Sequence, residues 1–289
     1  TQQIDNNFCT GQCFYDIAIA VDPTNANTVY LGGSPTIISA KSTNAAVSFT
    51  DNNAGVHVDT HVLTVSPSDP TQVWMGTDGG IYKSTNSGLS WTPLNNSQFS
   101  ATQFMSIAVH PTDPNFSIGG TQDNGTNFYQ PGGTWTRADF GDGGYAQIDQ
   151  NAPDNTNVRM YHTYFNATTL QGYGTVASTA SASDGLWSFR GCQSAGATVN
   201  GITCTGTINF YAPLERGPGN PNTIYYGSDR LYRSANTGTT HTVVSQNPIV
   251  AGVPISAIGI SPQNDDVRMV GLNNGALYGT STGANPLVD

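Results

Sequence analysis

His57, Asp59 and His61 stand in the run His57-Val58-Asp59-Thr60-His61. On an extended backbone alternate side chains point to one face. The spacing therefore predicts two imidazoles and a carboxylate side by side, a donor set that suits several divalent metals. Asp78 and Asp142 could add oxygen ligands for a harder cation. A divalent cation is thus one expectation, with His57, Asp59 and His61 as its ligands. The other is that both histidines bond neighbouring loop backbone. Three more polar runs carry carboxylates: Thr77-Asp78-Gly79-Gly80, Gln122-Asp123-Asn124-Gly125 and Gly141-Asp142-Gly143-Gly144-Tyr145. Asp-Gly is a favoured hairpin turn because it accepts positive φ, so each aspartate has an ordinary use as a turn former. Aspartates gathered on one surface could instead serve as general acid and base. Asp78, Asp123 and Asp142 are the catalytic candidates. Tyr129, Tyr145 and Tyr164 could supply aromatic platforms.

The elements that must position these residues are short strands. Residues 57–96 hold four runs, HVLTVSP, QVWMGTD, GGIYKST and SWTPLNN, rich in Val, Ile, Tyr, Trp and Thr and broken by Gly, Pro and Asn. Such runs read as β-strands, and four with short connections make an antiparallel meander, the blade of a propeller. The unit recurs near 14–53, 57–96, 104–139, 144–207, 209–247 and 255–289. First strands start near 16, 61, 104, 144, 210 and 255, a propeller-like period. The sixth repeat lacks a fourth strand, while residues 1–7 resemble a fourth strand without a blade. The expectation is an all-β, single-domain β-propeller of six blades, its ring closed by the N-terminal strand. A fragment of a longer chain would have seven or more. In such a meander, first-strand entries and second-to-third turns share one face. His57, Asp59, His61, Asp78, Asp123, Asn124, Asp142 and Tyr145 are then expected on one ligand-binding rim.

Composition narrows the function. The 289 residues carry nine Lys and Arg against nineteen acids, a net charge of −10. That disfavours nucleic acid and anionic membrane as partners. No run approaches the roughly 20 apolar residues that span a bilayer. The four cysteines fall as Cys9 with Cys13 and Cys192 with Cys204. These spacings fit zinc knuckles poorly and predict two disulfides in an oxidising compartment. The segment 191–207 reads as a stapled surface excursion. Asn95, Asn124 and Asn166 begin N-x-S/T sequons. No Gly-x-Ser-x-Gly elbow, phosphate loop or Cys/His nucleophile pair is present.

Ser84-Thr85-Asn86-Ser87-Gly88-Leu89-Ser90-Trp91 resembles the Asp-box, or BNR repeat, S-x-D-x-G-x-T-W, with Asn86 in the place of Asp. Residues 42–49 and 234–241 are similar, with Phe49 and His241 at the Trp position. The resemblance extends over nearly the whole chain. It implies a propeller related to sialidases, xyloglucanase-type hydrolases and sortilin-like receptors, within a group of secreted proteins of unassigned function. Asp78 in GTDGGIYKS resembles a groove aspartate of the xyloglucanase-type enzymes, which work between two propellers where this chain offers one. The arginines do not form the sialidase Arg-Ile-Pro motif. Glu215, following Tyr211, is expected in an exposed turn. The implied functions are a secreted or cell-surface module binding glycan or protein through the rim, a polysaccharide hydrolase using paired aspartates, or a component of an extracellular assembly. The missing catalytic set favours binding over catalysis.

Overall fold

The computed structural model describes residues 8–13, 15–96, 102–130 and 132–289. The N-terminal strand expected to close a ring, residues 1–7, lies outside the described residues. The chain forms two compact units, Thr1–Thr102 and Gln103–Asp289, and both are all-β, built of antiparallel meanders of the propeller class.

The first unit holds two blades. β1 (Ala18–Asp22), β2 (Asn25–Gly32), β3 (Ala40–Ser42) and β4 (Thr50–Asp51) pair in sequence order. β5 (Thr60–Val65), β6 (Val73–Thr77), β7 (Gly80–Ser84) and β8 (Thr92–Pro93) do the same. Alternation sends one side of each strand inward. Ala18, Tyr30, Leu63, Val73, Met75, Tyr82 and Trp91 meet in one core between the sheets.

The second unit begins with β9 (Phe104–Val109), β10 (Ser117–Thr121), β11 (Gly125–Gln130) and β12 (Thr134–Asp139). The next sheet is β13 (Ala146–Ile148), β14 (Met160–His162), β15 (Gln171–Val176) and β16 (Ser188–Cys192). A small hairpin follows, β17 (Thr198–Val199) with β18 (Ile202–Thr203). Then come β19 (Leu214–Arg216), β20 (Ile224–Gly227), β21 (Leu231–Ser234) and β22 (Thr242–Val243). The last sheet has three strands, β23 (Ile255–Ile260), β24 (Arg268–Leu272) and β25 (Leu277–Thr280). Its outer edge meets the C-terminal segment of the chain, because Gly279 and Val288 exchange backbone hydrogen bonds of 2.8 and 2.9 Å. The strand starts at 18, 60, 104, 146, 214 and 255 follow the repeat read from the sequence.

The turn between third and fourth strands is built identically in three blades. Ser84 Oγ donates to Asn86 Oδ1 at 2.9 Å and accepts from Gly88 N–H at 2.8 Å. Asn86 Oδ1 accepts from Ser90 N–H at 3.0 Å, and Asn86 Nδ2 donates to Ser90 Oγ at 2.8 Å. Ser42, Asn44, Ala46 and Ser48 repeat the pattern, as do Ser234, Asn236, Gly238 and Thr240. An asparagine supplies one acceptor to two donors and one donor of its own, so the amide serves where a carboxylate would. Gly88 takes φ +75 and Gly238 φ +84, while Ala46 is held at +63.

The excursion after β16 lies at the surface, with residues 193–196, 198–199 and 201 exposed, but its staple is buried. The predicted disulfides Cys9–Cys13 and Cys192–Cys204 are both formed, and Cys192, Ile202 and Cys204 are buried. The Asn200-Gly201 turn of the hairpin docks on the box turn ahead of β22. His241 N–H donates to Asn200 O at 2.8 Å, and Asn200 Nδ2 donates to Thr239 O at 3.0 Å. Apolar residues in the loop, Ala197 and Ile202 among them, join the core of β14, β15, β20 and β21, which draws the staple inward. Asn166 is also buried, its Oδ1 accepting from Gly172 N–H and Tyr226 O–H, so its sequon is closed to glycosylation in the folded state. Among the described residues no helix is long and apolar enough to cross a membrane.

Candidate functional site

In the first unit the motif leading into β5 meets the β6–β7 turn. His61 Nε2 lies 2.6 Å from Asp78 Oδ1 and His61 Nδ1 lies 3.4 Å from Asp16 Oδ1. The imidazole thus sits between two carboxylates, with the Tyr15 ring edge-on at 4.8 Å. Asp16 is fully buried, and among the described residues no hydrogen bond reaches either of its oxygens. Burial raises its pKa, Asp59 and Asp78 add to that, and His61 opposes it. Sequence reasoning had not singled out Asp16, although the repeat gives it the first-strand entry that His61 occupies in the next blade.

The expectation that His57, Asp59 and His61 project together from extended backbone is corrected. Asp59 takes φ +66 just ahead of β5, which breaks the alternation. Asp59 is buried and accepts from Ser34 Oγ. The His57 ring packs on Gly79, its Nδ1 is 3.1 Å from Val58 O, and the His57 backbone N–H donates to Tyr82 Oη at 3.2 Å. Oxygens of Asp59 and Asp78 lie within 4.8 Å of each other, a span that one cation with oxygen ligands at about 2.3–2.6 Å can bridge.

In the second unit the other two motifs lock together. Gly125 N–H donates to Gly141 O at 2.7 Å and Gly143 N–H to Thr121 O at 3.0 Å. Gly144 N–H donates to Thr163 O at 2.9 Å. A Cβ on Gly143 would stand 2.3 Å from Gly125 O, so glycine is required for this approach. The result places Asp123 and Asp142 around Tyr211, whose pKa is raised by burial first and then by those two carboxylates. Tyr164 is raised likewise by burial, Asp142 and Asp139.

The other candidates make local contacts of their own. Asn124 closes its own turn, donating to Gln122 O at 3.1 Å. Tyr145 packs against the core of the neighbouring sheets, and burial with Glu215 raises its pKa. Tyr129 joins Trp135, which in turn packs on Phe104, in an aromatic patch. Glu215 is not in an exposed turn but half-buried within β19. It accepts from Gln147 Nε2 at 3.3 Å and its own strand's Arg216 N–H at 2.8 Å.

Beside Tyr164 opens a cavity of about 280 Å³, walled by Phe140, Tyr164, Trp187 and Phe189. His162 and Asp139 also line it, with His162 Nε2 3.0 Å from Asp139 Oδ2. His162 is 2% exposed, and its Nδ1 is 3.0 Å from Thr126 Oγ1. Trp187 is fixed by donation from Nε1 to Ala138 O at 2.8 Å and lies edge-on to His162 at 4.3 Å. Of this set only Tyr164 was legible as a site residue. His162 and Trp187 carry no local mark of a site, because pairing from β14 through β15 to β16 is what brings them to one cavity.

No family model and no curated protein sequence matches this chain. Among solved structures, the GH74 xyloglucanase from Xanthomonas campestris is similar at 14% identity and a TM-score of 0.46, over 95% of this chain and 45% of that one. YCF48 bound to D1 peptide is similar at 13% identity and a TM-score of 0.39, over 93% and 75%. YCF48 from Cyanidioschyzon merolae gives 12% identity and a TM-score of 0.40, over 95% and 84%. This chain spans less than half the length of the xyloglucanase. At these scores the fold rests on the sheets themselves, and no activity is carried across.

Proposed function

We propose that this protein is a secreted or cell-surface propeller of the Asp-box kind that binds glycan through the cavity beside Tyr164. The observation that carries the reading is the aromatic cavity beside Tyr164, with the Asp139–His162 pair at its wall. Aromatic faces offer an apolar platform for the C–H face of a sugar ring, and a few placed polar groups fix its orientation. The volume, about 280 Å³, is near the lower end of small-molecule sites, roughly 300 Å³, and suits one ring. Two disulfides support an extracellular setting. Titration calorimetry against neutral oligosaccharides tests the reading. Trp187→Ala and Tyr164→Ala should each weaken binding at least tenfold. Unchanged affinity in both folded variants would sink it.

A hydrolase is the second reading, favoured by Asp142 and Asp123 both acting electrostatically on Tyr211. It requires new reducing ends from a polysaccharide, lost in Asp142→Ala.

A further inference from the structure

The second unit holds another pocket, built from the same kinds of loop that carry Asp78, Asp123 and Asp142. Its walls come from the β14–β15 turn, the entry to β19, the β20–β21 turn and the entry to β23. The volume is about 670 Å³, and Thr168, Thr207, Asp229, Arg230 and Ala251 line it. None of these residues stood out in the sequence.

Asp229 and Arg230 are the chemistry of this pocket. They are only 4% and 7% exposed, yet both reach its wall. Arg230 Nε donates to Asp229 Oδ1 at 2.7 Å, and Thr207 N–H donates to Asp229 Oδ2 at 3.3 Å. Gly206 closes on the carboxylate, where a Cβ would lie 2.3 Å from Oδ1. Ile249 N–H donates to Asp229 O at 2.9 Å. Three loops therefore fix one ion pair in place. A guanidinium has five donors in a rigid fork; here one is committed to Asp229 and the group also meets the Tyr232 hydroxyl, which leaves part of the fork for a ligand. The pair is neutral as a unit and offers donors and acceptors side by side. That matches a vicinal diol, whose hydroxyls both donate and accept. A carboxylate or sulfate would meet Asp229 as well as Arg230, on a protein of net charge −10.

The pocket also adjoins the aromatic cavity. Ala167 and Leu170 bond each other's backbone at 2.9 Å in both directions. Ala167 and Thr168 face the pocket, and Leu170 faces the cavity. One tight turn separates the two, so a single oligosaccharide could lie over both. We propose that Asp229 and Arg230 form a second subsite for the vicinal diol of a neutral sugar, extending the cavity beside Tyr164 to a longer glycan. This rests on the glycan-binding reading.

The test uses the full chain and neutral β-1,4-linked disaccharides and hexasaccharides of glucose, xylose and mannose, measured by calorimetry. Ala251 is exposed, so Ala251→Trp should plug the pocket without disturbing the ion pair. Arg230→Lys keeps the charge and loses the fork. Both should weaken hexasaccharide binding at least tenfold and leave disaccharide binding unchanged. Trp187→Ala should weaken both. Hexasaccharide affinity that survives Ala251→Trp overturns the subsite alone. A wild-type protein that binds none of the sugars overturns the subsite together with the function it extends. If Arg230→Lys does not fold, Ala251→Trp decides.

Discussion

Asp16 is a buried carboxylate with, among the described residues, no hydrogen bond to either oxygen, and His61 Nδ1 lies 3.4 Å away. Such a group costs stability when ionised. Its pKa is raised from the ordinary 3.8, first by burial and then by Asp59. Below 3.8 both folded and unfolded chains hold the proton and the cost is absent. Stability is lost as pH rises through the interval above 3.8. Asp16→Asn should therefore melt higher than the wild type at pH 7, with the gap closing near pH 3.5, read by thermal unfolding. A variant less stable than the wild type at pH 7 would show that His61 compensates the charge in full. His241 runs the other way. Burial lowers its pKa from 6.5 to about 4. Tyr173 O–H donates to Nε2 at 2.8 Å and Nδ1–H to Asn200 O at 2.7 Å, which fixes the neutral ring. The unfolded chain takes up the proton first as pH falls, so stability drops between 6.5 and 4. The expected loss is roughly 3 kcal/mol, seen as a falling urea midpoint that is shallower in His241→Phe.

At the scale of the element, the box turn explains why the repeat tolerates substitution. Its hydrogen bonds need a serine hydroxyl and an amide or carboxylate, plus two consecutive residues at positive φ, the second a glycine in two of the three turns. Ala46 fills that last place at φ +63, where a Cβ is strained. Ala46→Gly should gain about 1 kcal/mol, since non-glycine residues pay roughly 1–2 kcal/mol there. The reverse change is costlier in the later blade. Gly238→Ala puts a Cβ 2.7 Å from Tyr173 O–H and should lower the melting temperature. Gly143→Ala should do so too, and should also loosen Asp142, because Gly125 O is in the way.

The strands were legible because period-two apolar runs and Gly/Pro/Asn breaks act locally. The box and the two cysteine pairs were legible for the same reason. The His57–Asp59–His61 projection was misread because positive φ at Asp59 leaves no mark in the residue types. The cavity, Asp16 and the Asp229–Arg230 pair depend on which blade packs on which loop. Spacing along one chain carries no such information. The excursion at 191–207 was legible as a surface loop, but not the burial of its staple, because a disulfide predicts closure of a loop and not the side on which its apolar residues bury.

For the whole molecule, the low charge and the net −10 set the class of partner. Acidic glycans should bind weakly, and raising salt should relieve that repulsion, while neutral glycans should be insensitive to salt. The measurement that tests the central claim most directly is calorimetric titration of neutral oligosaccharides into wild type, Trp187→Ala and Tyr164→Ala, each checked for an unaltered melting profile. The account predicts saturable, salt-insensitive binding to the wild type that falls at least tenfold in both variants. Binding that both folded variants retain in full, or no binding to the wild type at all, would contradict it.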